Sequence, residues 1–105
     1  MKVDQIRREE IDESIEKGAV FTIMNREEAR YAIAKVVSII EEKNLLGKFL
    51  PMGRRTLGRV KEAEIELMKI FDKQLKHGKV YPRTSRDSII AFIGGYIACL
   101  NKNRS

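Results

Sequence analysis

The feature that most constrains this chain is a run of twelve residues, 89–100, without a charged side chain. Charged residues make up 34% of the whole sequence, so a run of this length is unusual here. A helix needs about 20 apolar residues to span a bilayer, and this run is therefore too short to cross a membrane. It predicts instead a helix that is buried on nearly all sides in a helical core.

Small residues recur at helical spacing inside this run. Since a glycine inside a helix costs about 1 kcal/mol relative to alanine, two adjacent glycines indicate that another helix backbone approaches closely. We interpret the small residues as a helix-packing seam, preferably inside a monomeric bundle and alternatively between the two chains of a homodimer. The seam consists of Ala91, Gly94, Gly95, Ala98 and Cys99.

Three further segments have the apolar spacing of helices. They cover residues 4–17, 26–46 and 56–77, and the uncharged run extends to a fourth helix over residues 85–101. The sequence contains no repeat, low-complexity stretch or long linker. We therefore predict one all-α, four-helix bundle-like domain over residues 1–105.

The predicted helix ends rest on capping residues. Gly18 stands where a C-cap glycine ends the first helix, and Gly47 is expected to end the second. Asn25 can cap the second helix, and Glu28, three residues on, resembles the second member of a capping box. Glu27 and Glu28 are expected on the solvated surface.

Residues 19–24 are apolar and partly β-branched, which predicts a short extended segment. A strand here would need a partner. The candidate in this chain, residues 79–81, ends at Pro82, which cannot donate to a ladder. We expect an extended connector pinned to the core, with pairing to a second chain as the alternative.

Several kinds of chemistry are missing from the sequence. With one cysteine and one histidine, the chain has neither a disulfide framework nor the ligands of a usual zinc site. His77 is predicted at a helix C-terminus, and no glycine-rich phosphate loop is present. We expect a protein that is not an enzyme and has no cofactor or metal. The absence of a secretory signal pattern predicts a cytoplasmic protein.

Charge is divided unevenly along the chain. Residues 1–47 hold eight basic and ten acidic side chains, a net charge of −2, whereas residues 48–105 hold thirteen and five, a net charge of +8. A basic half in a small domain is typical of a protein with a polyanionic partner, although a solubilising surface has the same composition.

Arginines stand at the predicted starts of the last two helices, where the helix dipole favours acidic residues. Backbone N–H groups, a Thr or Ser hydroxyl and forked guanidinium groups together describe an anion site. The alternative is that these arginines are surface residues or pair with the acidic first helix. The candidate phosphate-binding residues are Lys48, Arg54, Arg55, Arg59, Arg83 and Arg86.

Two aromatic residues, Phe49 and Tyr81, lie in or beside the basic loops and could stack on bases or anchor packing. In an up-down bundle the two arginine clusters would lie at opposite ends. We predict a small basic protein that binds DNA or RNA, or acts as an accessory protein, without strong sequence preference. The alternative is an inhibitor, immunity factor or assembly subunit that uses the same surface on an acidic protein.

Overall fold

A computed structural model describes residues 3–46, 54–78 and 80–103. Nearly all of its regular structure is helical, which confirms the all-α prediction. The elements, in chain order, are α1 (Gln5–Lys17), β1 (Phe21–Thr22), α2 (Arg26–Lys43), α3 (Arg54–His77), β2 (Arg83–Thr84) and α4 (Arg86–Asn103).

The first two helices begin and end at capping residues. The carboxylate of Asp4 accepts a hydrogen bond from the N–H of Ile6, and Gly18 ends α1 in the left-handed conformation, with φ +71°. The side-chain oxygen of Asn25 accepts from the N–H of Glu28 at 2.9 Å, as predicted. Helix α2 ends earlier than expected, because Asn44 adopts the left-handed cap conformation before Gly47 is reached.

The extended segment within residues 19–24 does form a strand, and its partner lies in the same chain. Strand β1 pairs antiparallel with β2, so that Thr22 is opposite Arg83. The N–H of Ile23 also donates to the carbonyl of Pro82 at 2.8 Å. The expectation of a connector without a partner strand in this chain was therefore wrong. The missing N–H of Pro82 does not prevent pairing, because its carbonyl accepts and the ladder continues in residues 83–84.

The helices do not alternate strictly up and down. Helices α1 and α2 run parallel, since Arg7 near the start of α1 contacts Glu28 near the start of α2, and Asp12 farther along contacts Tyr31. The extended segment carries the chain back along α1 and so allows this arrangement. Helices α2 and α3 are antiparallel, because Arg26 at the start of α2 pairs with Asp72 near the end of α3.

The core is made of aliphatic side chains from all four helices, together with Phe21 of β1 and Phe71 of α3. Helix α4 contributes Ile89, Ile93 and Ile97, which lie one turn apart on one face and are fully buried. The opposite face of α4 is exposed, so the expectation of a helix buried nearly all round was wrong. A lack of charge did not distinguish a buried face from an exposed face of small residues. Among the described residues, no helix is both long and apolar enough to cross a membrane.

Candidate nucleic-acid interface

Strands β1 and β2 are separated in the chain by α2 and α3, and they pair into a two-stranded antiparallel ribbon, which we call the β1–β2 ribbon. This ribbon has a buried side and an outer side. Phe21, Ile23 and Thr84 are buried against the helices, whereas Thr22 is half-buried and Arg83 is exposed. Side chains alternate between the two sides of an extended strand, and this alternation explains the pattern. Arg83 is therefore held on the outer side by a backbone that is paired to the core.

Arg83 and Arg86 have different surroundings, although both were predicted to bind phosphate. Within the described parts of the chain, Arg83 makes no ion pair or side-chain hydrogen bond. Its guanidinium is available to an external anion.

Arg86 instead serves the fold. Its Nη1 donates to the carbonyl oxygens of Ile15 and Glu16 at 3.2 and 3.3 Å, and its Nε donates to Asp87. The two carbonyls belong to the last turn of α1, where a cation also complements the helix dipole. A Cβ at Gly18 would lie 2.9 Å from Nη2 of Arg86, so glycine leaves the room for this contact. The geometry does not support Arg86 as a phosphate contact.

The arginine cluster predicted at the start of α3 lies away from the β1–β2 ribbon. The structure describes the backbone of Arg54 and Arg55 at the start of α3 but not their side chains, and Arg59 is half-buried one turn later. Lys48 and Phe49 lie outside the described residues. Helix α3 has 24 residues and is about 36 Å long at ~1.5 Å per residue. Strand β2, which carries Arg83, follows its C-terminal end. The structure therefore does not bring the two clusters together.

Exposed apolar side chains lie on the two strand segments near Arg83, at the outer side of the β1–β2 ribbon. Tyr81 is 53% exposed, Met24 is 44% exposed and Val80 is 79% exposed. The predicted stacking residue Tyr81 is thus accessible, and it stands two residues before Arg83 on the same extended segment. Met24 and Val80 were not singled out by their sequence pattern, because the pairing that brings residues 24 and 80–81 together is tertiary.

A buried ion pair between α1 and α2 also holds the backbone at and after β1. Glu28 is only 3% exposed, and its carboxylate accepts from Nε and Nη2 of Arg7 at 3.0 and 2.8 Å. The same Nη2 donates to the carbonyl of Thr22, and the N–H of Met24 donates to Glu28. The hydrogen bonds from Arg7 to Glu28 raise the pKa of Arg7 above its ordinary value, and burial, which lowers it, offsets only part of this rise. The expectation that Glu28 lies on the solvated surface was wrong; its position in the first turn of α2, beside the returning chain, could have indicated this role.

A second polar contact joins α1 to α2 farther along. The hydroxyl of Tyr31 donates to Asp12 at 2.6 Å, Lys35 lies 3.6 Å from the same carboxylate, and the guanidinium of Arg8 lies over the Tyr31 ring. Burial, together with the hydrogen bond to Asp12, raises the pKa of Tyr31 to about 12. These contacts are structural and leave the outer side of the β1–β2 ribbon accessible.

A groove of about 330 Å³ lies between α2 and α3. Ile33, Ile65 and Met68 form its apolar part, and Arg30 and Lys61 flank it. Glu64 also lines the groove, and burial raises its pKa. An acid inside a groove flanked by cations makes a poor site for an anion, so we do not place phosphate there.

The small residues of the predicted seam lie on the outer face of α4. Ala91, Gly95, Ala98 and Cys99 are exposed, and a Cβ at Gly95 would meet no described atom within 4 Å. Gly94 is half-buried, and a Cβ placed on it would lie 3.4 Å from the side chain of Leu46. The preferred interpretation, a seam inside the monomer, was wrong for Gly95, because no other described helix of this chain lies against it.

Within residues 3–46, 54–78 and 80–103, no group of three or more His, Cys, Asp or Glu side chains is placed to hold a metal ion. No protein-family model matches the chain, and no curated protein or solved structure matches it. Arg83 and the exposed side chains around it are the described residues best suited to meet an anionic partner.

Proposed function

We propose that this chain is a small, basic, non-enzymatic protein that binds nucleic acid, or serves as an accessory to proteins that do. The observation that carries the proposal is Arg83, which is exposed, makes no ion pair with a described residue and has its backbone paired to β1 in the β1–β2 ribbon. A guanidinium with open donors can bind phosphate oxygens with two parallel hydrogen bonds. A nucleic-acid partner in turn implies a cytoplasmic protein.

Basic side chains near this surface favour the same partner, although Glu10 and Glu13 lie beside Thr22 of β1. Helix α3 ends with Lys76, which is exposed, a few residues before β2. Residues 48–105 carry a net charge of +8, which attracts a polyanion over a distance of about one Debye length. Contacts of this kind read no base sequence, so binding should be non-specific and sensitive to salt.

Fluorescence anisotropy with labelled duplex DNA, single-stranded DNA and RNA tests the proposal. We expect binding at low salt that weakens steeply toward physiological salt. The Arg83→Glu variant should bind about tenfold more weakly, with a shallower log–log salt slope. Lys17→Glu is the matched control, because it makes the same change in net charge at an exposed position at the end of α1.

The control separates a located contact from general attraction. Equal losses in Arg83→Glu and Lys17→Glu would mean that net charge alone attracts the nucleic acid and that Arg83 is not a contact. An Arg54→Glu/Arg55→Glu variant tests the other cluster in the same assay. If the wild-type protein binds none of the three probes at low salt, the proposal is wrong and an acidic protein becomes the partner to seek.

A second candidate function is that of an assembly subunit, and the outer face of α4 favours it. This face presents small uncharged residues around Gly95, with Asp87 at one end and Lys102 at the other. Two such helices packed antiparallel about Gly95 would bring Asp87 of each copy near Lys102 of the other. We propose a second copy of this chain as the partner of the face.

Analytical ultracentrifugation tests this homodimer. We expect a dimer for the wild-type chain at micromolar concentration and a monomer for Gly95→Leu, because the leucine side chain would hold the two backbones apart. A folded wild-type monomer at all concentrations would exclude the dimer. The exposed surface of α3 offers a matched control, Ile65→Ala, which should leave association unchanged.

A further inference from the structure

The outer side of the β1–β2 ribbon combines an aromatic ring, an apolar side chain and a cation on one surface. Thr22 is opposite Arg83, and the N–H of Ile23 donates to the carbonyl of Pro82. Continued by one residue, the same register places Met24 opposite Tyr81. We call Thr22, Met24, Tyr81 and Arg83 the outer ribbon face.

The backbone sets the spacing on this face. Residues two apart in an extended segment point to the same side and are separated by about 7 Å. Tyr81 and Arg83 stand in this relation, and Pro82 between them has a fixed φ that restricts how they can move relative to each other. The backbone therefore presents the phenol ring and the guanidinium on the same side of the chain, and each exposed side chain loses rotamer freedom when it binds.

An exposed tyrosine next to an available arginine suits one form of nucleic acid better than another. The flat faces of bases in a duplex are covered by their neighbours, whereas the bases of a single strand can stack on an aromatic side chain. Met24 extends the apolar surface on which a base would lie, and Arg83 stands where an adjoining phosphate can be bound.

We propose that the outer ribbon face binds single-stranded nucleic acid, with one base stacked on Tyr81 and an adjoining phosphate bound by Arg83. This inference rests on the proposed function and adds the class of nucleic acid and the residue that selects it. Arg83 contributes to binding of any phosphate chain, and Tyr81 contributes only where a base is unpaired.

Fluorescence anisotropy tests the selection by using one labelled strand of about 12 nucleotides, alone and annealed to its complement. We expect the wild-type protein to bind the single strand more tightly. Tyr81→Ala should weaken single-strand binding about tenfold and leave duplex binding unchanged. Tyr81→Phe keeps the ring and should retain the preference, whereas Arg83→Gln should weaken binding to both probes.

Tyr81 makes no described side-chain hydrogen bond, and its exposure predicts that both tyrosine variants fold like the wild type, which thermal unfolding followed by circular dichroism will verify. A strand of the same length with abasic sites is a further probe: it should bind the wild type and Tyr81→Ala equally, because it offers phosphates without bases.

Two results would overturn the inference while the proposed function survives. They are equal affinity of the wild type for single strand and duplex, or single-strand binding that Tyr81→Ala leaves unchanged. Failure to bind any oligonucleotide at low salt would overturn both. Vesicles containing phosphatidylserine serve as the last probe, and if Tyr81→Ala abolishes vesicle binding but not oligonucleotide binding, the face binds lipid and the inference is wrong.

Discussion

Helices α1 and α4 both pack on α2, but in different ways. Helix α4 contributes three isoleucines, one turn apart, and its contact is apolar along its length. Helix α1 buries Ile11 and Ile15 and adds directional polar contacts at Arg7 and Asp12. Apolar packing is tolerant of small shifts, whereas hydrogen-bonded ion pairs require one arrangement. The polar contacts thus fix the positions of α1 and β1 relative to α2.

The largest effect that would test this comparison is expected at Arg7. Arg7→Met removes the donors that satisfy the buried carboxylate of Glu28 and the carbonyl of Thr22. Stranding a buried charge should lower the free energy of unfolding by about 3 kcal/mol, the low end of the usual range because Arg7 is partly accessible to water. Urea denaturation measures the loss.

Lys17→Met is the matched control for Arg7, since it breaks an exposed pair with Glu13 and should leave stability unchanged within error. A loss in Arg7→Met no larger than that of the control would mean that α1 is held by its isoleucines alone.

The junction between α1 and α4 should show the next largest effect. Gly18→Ala places a Cβ at a left-handed position and against the guanidinium of Arg86, which should cost about 2 kcal/mol. Arg86→Met removes the hydrogen bonds to the last turn of α1 and should cost about 1 kcal/mol.

The double variant should lose less stability than the two single variants together, because the methionine side chain can move away from the new Cβ. Thermal unfolding measures all three. Strict additivity would indicate that Gly18 is required only for its backbone conformation.

A smaller effect is expected for Tyr31→Phe, which removes the hydrogen bond to Asp12 and should cost about 1 kcal/mol at neutral pH. The pKa of Tyr31 is raised in the folded protein to about 12, so folding favours its protonated form. This contribution is present below pH 10 and is lost as the pH rises toward 12.

Stability curves between pH 8 and 12 should therefore fall less steeply in Tyr31→Phe than in the wild type. Parallel curves for wild type and Tyr31→Phe would show that Tyr31 titrates alike in the folded and unfolded states.

The smallest effect concerns the outer face of α4. Gly95→Ala should raise stability by about 0.5–1 kcal/mol in dilute solution, since the new Cβ meets no described atom and alanine favours the helix. Gly94→Ala should gain less because Leu46 lies 3.4 Å away. Thermal unfolding at two protein concentrations measures both, and a loss for Gly95→Ala that grows with concentration would indicate that this face is covered by a second copy.

The sequence predicted the parts of the fold that depend on local chemistry. Gly18 and Asn25 are predicted caps whose conformations or short-range hydrogen bonds involve residues a few positions away, and apolar spacing located the four helices. Of the candidate site, it identified Arg83 and Tyr81 but could not separate Arg83 from Arg86, since both are arginines at the start of one helix. Only the position of α1 makes Arg86 a cap.

By itself, therefore, the sequence determined an all-α chain, the caps at Gly18 and Asn25 and a basic second half, because capping, periodicity and charge are properties of neighbouring residues. The tertiary structure decided the pairing of β1 with the residues after Pro82, the burial of Glu28 and the exposure of Gly95. Each of these depends on contacts between residues far apart in the chain. Whether an uncharged face is covered or a carboxylate is paired is settled by what the fold brings against it.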